Sequence, residues 1–437
     1  MNDNLEIKKT DWNLYRKELN IFVDKKISFI QKLLEKDFLI KEDKEFFYKI
    51  FFLQLSRYFF NKKFPSYDHK KEGKKRFNFL KYLKFLDYLT IENFENDKMK
   101  FSKNVSINFF YRHNNFKELN SNIISEVNSK NFKKKFSLQS LLVNIHLTYF
   151  SELKKNKIFF LKRRLVILII NYKFLKKNNT KIKNILITTH GVMSNADQVL
   201  LGCLSHKAKI ISMQSGYPHF MYKYHDQDDY IEKISNKILC WGKNIKKNSK
   251  YEVFGSFYSN TNKLDNKKKS VIILPAVPIR NTRNPVSSYA SHNLFEFTKF
   301  IIKRIVEEIK KINTKDKSCI LQCKDCDFEY YKKQFVKYKI KNKLSFNEIN
   351  SGKFGNTYLK TYVLYFSTAI IENFYAKSNV KICINSAWID LQKKYEKRLN
   401  NINNKEFLKK NDKFIQDYCK MITPINTKKR LIKILNQ

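Results

Sequence analysis

The chain has 437 residues, long enough for two or three domains with full cores, and its 43% hydrophobic and 15% aromatic content excludes a disordered tail. Lysine and arginine number 87 against 40 aspartates and glutamates, a formal net charge of +47, while glycine (8) and proline (6) are scarce. That excess suits an anionic partner, but it runs the whole length of a chain rich in Lys, Asn, Ile, Phe and Tyr. Lysine dominates arginine, the usual reader of base edges, so AT-rich codon usage explains the charge better than a nucleic-acid stripe does.

Residues 1–5 contain no apolar signal core. Residues 11–60 read as helices, with Phe46, Phe47, Ile50, Phe51, Leu53, Leu55 and Phe59 at helical spacing and a break at Pro65-Ser66. Residues 68–75 form a charged loop, 77–89 return to apolar periodicity and 105–111 suit a strand. His69, His113 and His146 read as surface or core groups. Two amphipathic segments follow, at 136–155 and 159–175; the longest apolar run, 165–170, is too short to span a bilayer. The expectation is a cytoplasmic protein with at most peripheral contact at the inner face of a membrane.

The stretch 184–255 organises the rest. Ile185 to Thr189 and Lys209 to Met213 are β-rich, and a helical segment at 195–205 lies between them, the pattern of a βαβ unit. The strands end at His190-Gly191 and at Gln214-Ser215-Gly216-Tyr217-Pro218, where open α/β sheets bind ligands. Asp226, Asp228 and Asp229 could suggest a metal but read more as the solvated start of a short helix, and strands are expected at 237–241 and 251–257. The polar run 256–270 is the best linker.

A second alternation begins with the buried strand 271–274 and a loop carrying Arg280 and Arg283. The clearest helix follows, with Phe297, Phe300, Ile301, Ile305 and Ile309 on one face and Ser291 as its cap. Strands are expected at 319–323, 344–347, 362–366 and 381–385, helices at 330–337 and from Ser367-Thr368 to 376, and the tail from 391 is helical and charged. Cysteines are few, and several of the seven sit in or beside expected strands, which suits a reducing compartment. Cys323-Lys324-Asp325-Cys326 has the spacing of a zinc knuckle or redox pair, with no second pair to complete it.

Several of these elements, Met213-Gln214-Ser215-Gly216-Tyr217, Glu232-Lys233-Ile234, Leu239-Cys240-Trp241-Gly242 and Tyr365-Phe366-Ser367-Thr368 with Glu372, resemble a bacterial family of surface-carbohydrate biosynthesis transferases. The resemblance covers roughly residues 180–390. It implies an α/β protein with two Rossmann-like domains facing across a cleft, GT-B-like, with a helical N-terminal extension. Residues 1–180 would be the helix-rich part of the acceptor-side domain, 181–258 its Rossmann-like core, and 259–437 the nucleotide-donor-binding domain with its helical tail. The implied activity is transfer of a sugar from a nucleotide-sugar donor to a glycan or lipid-linked acceptor. A CDP-alcohol phosphotransferase and a basic nucleic-acid-binding protein are the alternatives. Ser215, Asn236 and Lys243 stand where the family has His, Asp and Trp, so a degenerate transferase is one outcome.

The residue chemistry fits those roles. His190 is the candidate general base, since imidazole titrates near neutrality, and His219 is the other histidine placed to replace it. Gln214, Ser215, Gly216 and Tyr217 would line the sugar or acceptor site. Ser367 and Thr368 at a helix start would meet a diphosphate, Glu372 the donor ribose, and Arg280 and Arg283 the leaving nucleotide. The plain alternatives are an ordinary N-cap, a solvated glutamate and two loop arginines. No clean Asp-x-Asp is present, so the expectation is metal-independent chemistry with no cofactor beyond the nucleotide-sugar co-substrate.

Overall fold

The computed structural model describes residues 10–64, 103–107, 125–127, 147–178, 181–188, 195–216, 219–243, 249–256, 269–277, 294–346, 358–384, 389–409, 411–420 and 424–437. Helix α1 (Trp12–Phe38) starts where the Asp11 side chain accepts the Asn13 and Leu14 N–H groups, and it ends in the left-handed turn at Leu39. Its buried residues, Trp12, Tyr15, Leu19, Val23, Ile27, Ile30 and Leu34, recur every three or four positions, so one face is apolar. Helix α2 (Lys44–Lys63), capped by Asp43, is buried most of the way round because α1 lies on one side and helices of the first sheet on the other.

That sheet contains β1 (Asn104–Ile107), β2 (Ser125–Val127), β3 (Asn184–Thr188), β4 (Lys209–Met213), β5 (Lys237–Cys240) and β6 (Tyr251–Val253), in the order β2-β1-β3-β4-β5-β6 with every pairing parallel. Helices α3 (Leu147–Lys155) and α4 (Lys162–Asn178) precede β3, and α5 (Asn195–Leu204) and α6 (Asp226–Ile234) are the crossovers to β4 and β5. α2 and α4 pack on α5. The central strands β3, β4 and β5 read as largely apolar runs because both faces are covered, whereas edge strand β6 is only half-buried.

The second sheet contains β7 (Lys269–Ile273), β8 (Ile320–Cys323), β9 (Leu344–Phe346), β10 (Tyr358–Val363) and β11 (Asn379–Ile382), in the order β11-β10-β7-β8-β9, again all parallel. Its helices are α7 (Leu294–Lys315), α8 (Phe328–Lys337) and α9 (Thr368–Tyr375), and α10 (Lys393–Asn403) also packs on β11. The chain then passes through α11 (Lys413–Tyr418) and ends in α12 (Pro424–Asn436), which returns to the first sheet. There Leu431, Ile434 and Leu435 cover Leu186, Ile211, Met213, Leu239 and Phe254. Each such buried aliphatic contributes on the order of 1.5–3 kcal/mol. Arg430 fixes the helix by donating to the Val253 and Phe254 carbonyls, both at 2.6 Å.

The central βαβ unit forms as expected, within a residue or two. β10 and β11 start and stop earlier than the expected 362–366 and 381–385. Leu364 still bonds to the Ile273 carbonyl at 3.1 Å, but Tyr365 and Phe366 belong to the turn. Of the strand expected at 105–111, the described part is β1 at 104–107 and 108–111 lie outside the described residues; β2 has no counterpart among the expected strands. Residues 65–102, Ser291, His69, His113, His146 and most of the expected linker lie outside the described residues. No helix among the described residues is long and apolar enough to cross a membrane.

Two glycines are required by close approach. A Cβ on Gly202 of α5 would overlap the Ile50 side chain of α2, and a Cβ on Gly242 would overlap backbone atoms of Asp417 and Tyr418. A side chain can rotate away and a hydrogen-bonded backbone cannot. Gly242→Ala is therefore expected to cost about 1–3 kcal/mol of unfolding free energy in urea titration, and Gly202→Ala clearly less.

Candidate functional site

Parallel sheets collect their loops at the carboxyl ends of the strands, and ligands bind where the strand order reverses. In the first sheet that reversal lies between β1 and β3. His190 follows β3 by two residues in sequence; it lies outside the described residues, as do Tyr217, Arg280 and Arg283.

Beyond β4 the structure describes Gln214 to Gly216. Gln214 is wholly buried. Its Nε2 donates to the Gly216 carbonyl (2.9 Å), its Oε1 accepts the Trp241 N–H (2.9 Å), and its own carbonyl accepts the Trp241 indole N–H (2.7 Å). The sequence reading makes Gln214 part of a sugar-lining turn; in this structure its polar groups are turned inward, tying the ends of β4 and β5 together and shaping that turn. Ser215 and Gly216 beside it are half-buried.

The next stretch corrects the sequence reading. Asp226, Asp228 and Asp229 do not form a solvated helix start: Asp226 and Asp228 are 1% and 5% exposed. The cations beside Asp226 and Asp229 come from elsewhere in the chain, which is why local sequence gives no sign of them, whereas Asp228 is held by nearby residues. Arg16 of α1 forks onto Asp229, with Nε at 2.7 Å and Nη2 at 3.0 Å. Arg57 of α2 comes within 3.9 Å of Asp226. Nδ1 of His219 lies 2.5 Å from Asp228 Oδ1, Nδ1 of His225 lies 3.1 Å from the same oxygen, and Oδ2 accepts the Phe220 N–H at 2.7 Å. His219 and His225 are both buried.

The electrostatics follow from that packing. Burial raises the Asp226 and Asp229 carboxyls above their ordinary values, against the pull of His225 and Arg57 on the first and Arg16 on the second. Burial also opposes charge on Asp228, but His225 and His219 reverse this and hold it well below the usual carboxylate range. Burial disfavours charge on His225 as well; its three carboxylate neighbours, Asp228 first, outweigh that and raise it.

The strip 219–225 is also joined to the second half of the chain. Lys223 N–H donates to the Asp390 carbonyl (2.8 Å), Gln392 N–H to the Met221 carbonyl (3.0 Å), and Tyr222 and Leu391 form an antiparallel bridge. Buried Asp390 takes the Trp12 indole N–H at 2.8 Å and the Lys223 ammonium at 2.6 Å.

Numbered in chain order, the strands of the second sheet lie 5-4-1-2-3, the arrangement of dinucleotide-binding sheets, and the order reverses between β7 and β10. Three segments gather at that edge. After β7, the Val277 N–H donates to Asp327 Oδ2 at 3.2 Å; Asp327 follows β8 and is buried. After β10, Ser367 caps α9 by accepting the Ala369 N–H at 3.2 Å, with extended dihedrals (φ −145°, ψ 170°). Tyr365 hydrogen-bonds Ser367, and burial together with the carboxylates of Glu372 and Asp327 raises its phenol above its ordinary value. Ser367, Thr368 and Glu372 are all half-buried. The structure thus brings these three together at the reversal point, beside a tyrosine and an aspartate that the sequence reading did not assign; Asp327 could have been found from its place after a strand.

No protein-family model matches the chain, and no curated protein matches it by sequence. Several solved structures resemble it distantly, among them the following three. A mutant S. aureus TarM in complex with fondaparinux, α-GlcNAc-glycerol and UDP is 10% identical, with TM-score 0.33, over 61% of this chain and 56% of that one. A second TarM structure is 11% identical, with TM-score 0.34, over 61% and 55%. The pneumococcal O-GlcNAc transferase GtfA in complex with UDP and GlcNAc is 9% identical, with TM-score 0.35, over 63% and 60%. The chain therefore spans between 55% and 60% of the length of the structures it resembles.

Gln214→Leu leaves the buried Trp241 N–H without its acceptor. It is expected to lower stability by about 1–3 kcal/mol in urea titration, with a change in tryptophan emission at the onset of unfolding.

Proposed function

We propose that the chain is a glycosyltransferase of cell-surface polysaccharide assembly, moving a sugar from a nucleotide-sugar donor to a glycan or lipid-linked acceptor. In this reading residues 1–258 form the acceptor side, 259–437 form the donor side, and the two are arranged as in GT-B enzymes. The observation that carries it is the coincidence of Ser367, Thr368 and Glu372 with the point where the second sheet reverses its strand order. A helix start at such an edge offers N–H groups and the positive end of its dipole to phosphate oxygens. Ser367 and Thr368 would add hydroxyls, and Glu372, one turn on, would accept hydrogen bonds from ribose.

The chemistry would run as follows. The acceptor hydroxyl attacks the anomeric carbon of the donor sugar while a base takes its proton, and the bond to the diphosphate breaks. Charge then develops on the leaving diphosphate, where Arg280, Arg283 and the α9 start would stabilise it. His190, two residues after β3 in sequence, would be the base. Transfer on this scheme needs no metal at the diphosphate. The chain's excess of lysine would hold it near anionic lipid, where a lipid-linked acceptor resides; vesicle flotation should then favour anionic over neutral liposomes, and equal recovery with both would remove that part.

A thermal-shift screen against nucleotides and nucleotide sugars, at low and high salt, tests the reading. One nucleotide class should raise the midpoint, and the shift should survive high salt, because a ligand bound only by the folded state stabilises it according to its occupancy. Glu372→Gln should weaken that donor about tenfold or more while leaving the unliganded midpoint within a degree or so. No shift with any nucleotide, together with salt-sensitive stabilisation by DNA or RNA, would replace the transferase with a nucleic-acid binder.

A further inference from the structure

His219, His225 and Asp228 fall within ten residues, in the loop after β4 and the first turn of α6. One ligand atom from each lies within 4.8 Å of the other two, and all three side chains are buried. Nδ1 of His225 has two incompatible neighbours. At 3.2 Å it accepts the Asp228 N–H, and at 3.1 Å it faces Asp228 Oδ1, which needs a donor. With a neutral ring, two lone pairs therefore oppose each other in a buried site, and Nδ1 of His219 crowds the same oxygen at 2.5 Å. A cation held between Oδ1 and the imidazole nitrogens replaces that repulsion with attraction.

We propose that His219, His225 and Asp228 bind a divalent metal ion of the zinc type. Two imidazole nitrogens and one carboxylate oxygen suit zinc and its neighbours better than calcium or magnesium, which prefer an all-oxygen shell. The carboxylate is already oriented for it: Oδ2 is held by the Phe220 N–H, which leaves Oδ1 for the metal. Buried Asp226 adjoins the site and adds negative charge to balance the ion. Three protein ligands leave one position for a water. The ion fastens the loop at both ends, and between them lie Met221 to Lys223, whose backbone bonds reach Asp390 and Gln392. Its role is to hold that junction, so the site does not depend on the transferase reading.

The full-length chain, stripped with EDTA and passed through gel filtration after addition of Zn²⁺, should retain one equivalent by mass spectrometry and melt at a higher temperature than the stripped protein. His219→Asn and Asp228→Asn, checked for folding by circular dichroism, should each weaken zinc binding by about 100-fold or more. A C323S/C326S double variant should keep the zinc. If a ligand variant fails to fold, Co²⁺ loaded into the unaltered chain decides instead, by the intense visible bands of a four- or five-coordinate nitrogen and oxygen site. Failure to retain zinc, equal retention by folded ligand variants, loss of zinc in the cysteine variant, or a six-coordinate aquo-like cobalt spectrum would each overturn the site.

Discussion

Backbone hydrogen bonds between the strand ends of the first sheet and two short segments of the second half are the constraint on which the rest of the structure depends. Residues 221–223 are bonded to 390–392, and 241, 243 and 256 to 417–420. Trp241 accepts the Lys420 N–H at 2.8 Å, Lys243 donates to the Asp417 carbonyl at 2.8 Å, and Ser256 donates to the Lys420 carbonyl at 2.6 Å. Bonds of this length bring two backbones into direct contact, and no side chain fits between them at Gly242. The Trp-Gly pair at the end of β5 thus has a physical meaning: indole and amide of Trp241 read Gln214 on one side, and the bare Cα of Gly242 admits Tyr418 on the other.

Charge reinforces the same junction. Trp12 and Lys223 converge on buried Asp390, and Arg16 bridges Asp229 and the Lys223 carbonyl, the latter at 3.0 Å. α1 is therefore more than an N-terminal cover, since it supplies donors to both sides of the junction. A buried charge without a partner is costly, so these carboxylates hold α1, the loop after β4 and the segment around Asp390 in one mutual arrangement.

The sequence made the repeating part of the fold legible because its strands are buried on both faces. Ile185 to Ile187 and Val271 to Leu274 are unbroken apolar runs, and the strands expected there agree with β3 and β7 to within two residues. Edge strands carry less of that signal: β2, three residues long, has Glu126 at its centre and was missed. Local pattern also failed where the decisive partner is distant. Asp226, Asp228 and Asp229 look like the acidic first turn of any surface helix, and the cations that accompany Asp229 and Asp226, Arg16 and Arg57, lie about 170 to 215 residues away. Ser367 was legible as a cap because its bond to Ala369 spans two residues; the Tyr365–Glu372–Asp327 cluster around it was not, since it joins the ends of two strands.

The central claim is that the edge between β7 and β10 is where a nucleotide diphosphate binds. Hydrogen–deuterium exchange of the full chain with and without saturating nucleotide sugar tests it most directly, because bound phosphate and ribose slow exchange of the amides they contact or rigidify. The expected result is protection of 274–277 and 364–372, with smaller changes elsewhere on the second sheet. Protection confined to the first sheet, or no protection at either segment under conditions where binding is measured independently, would contradict it.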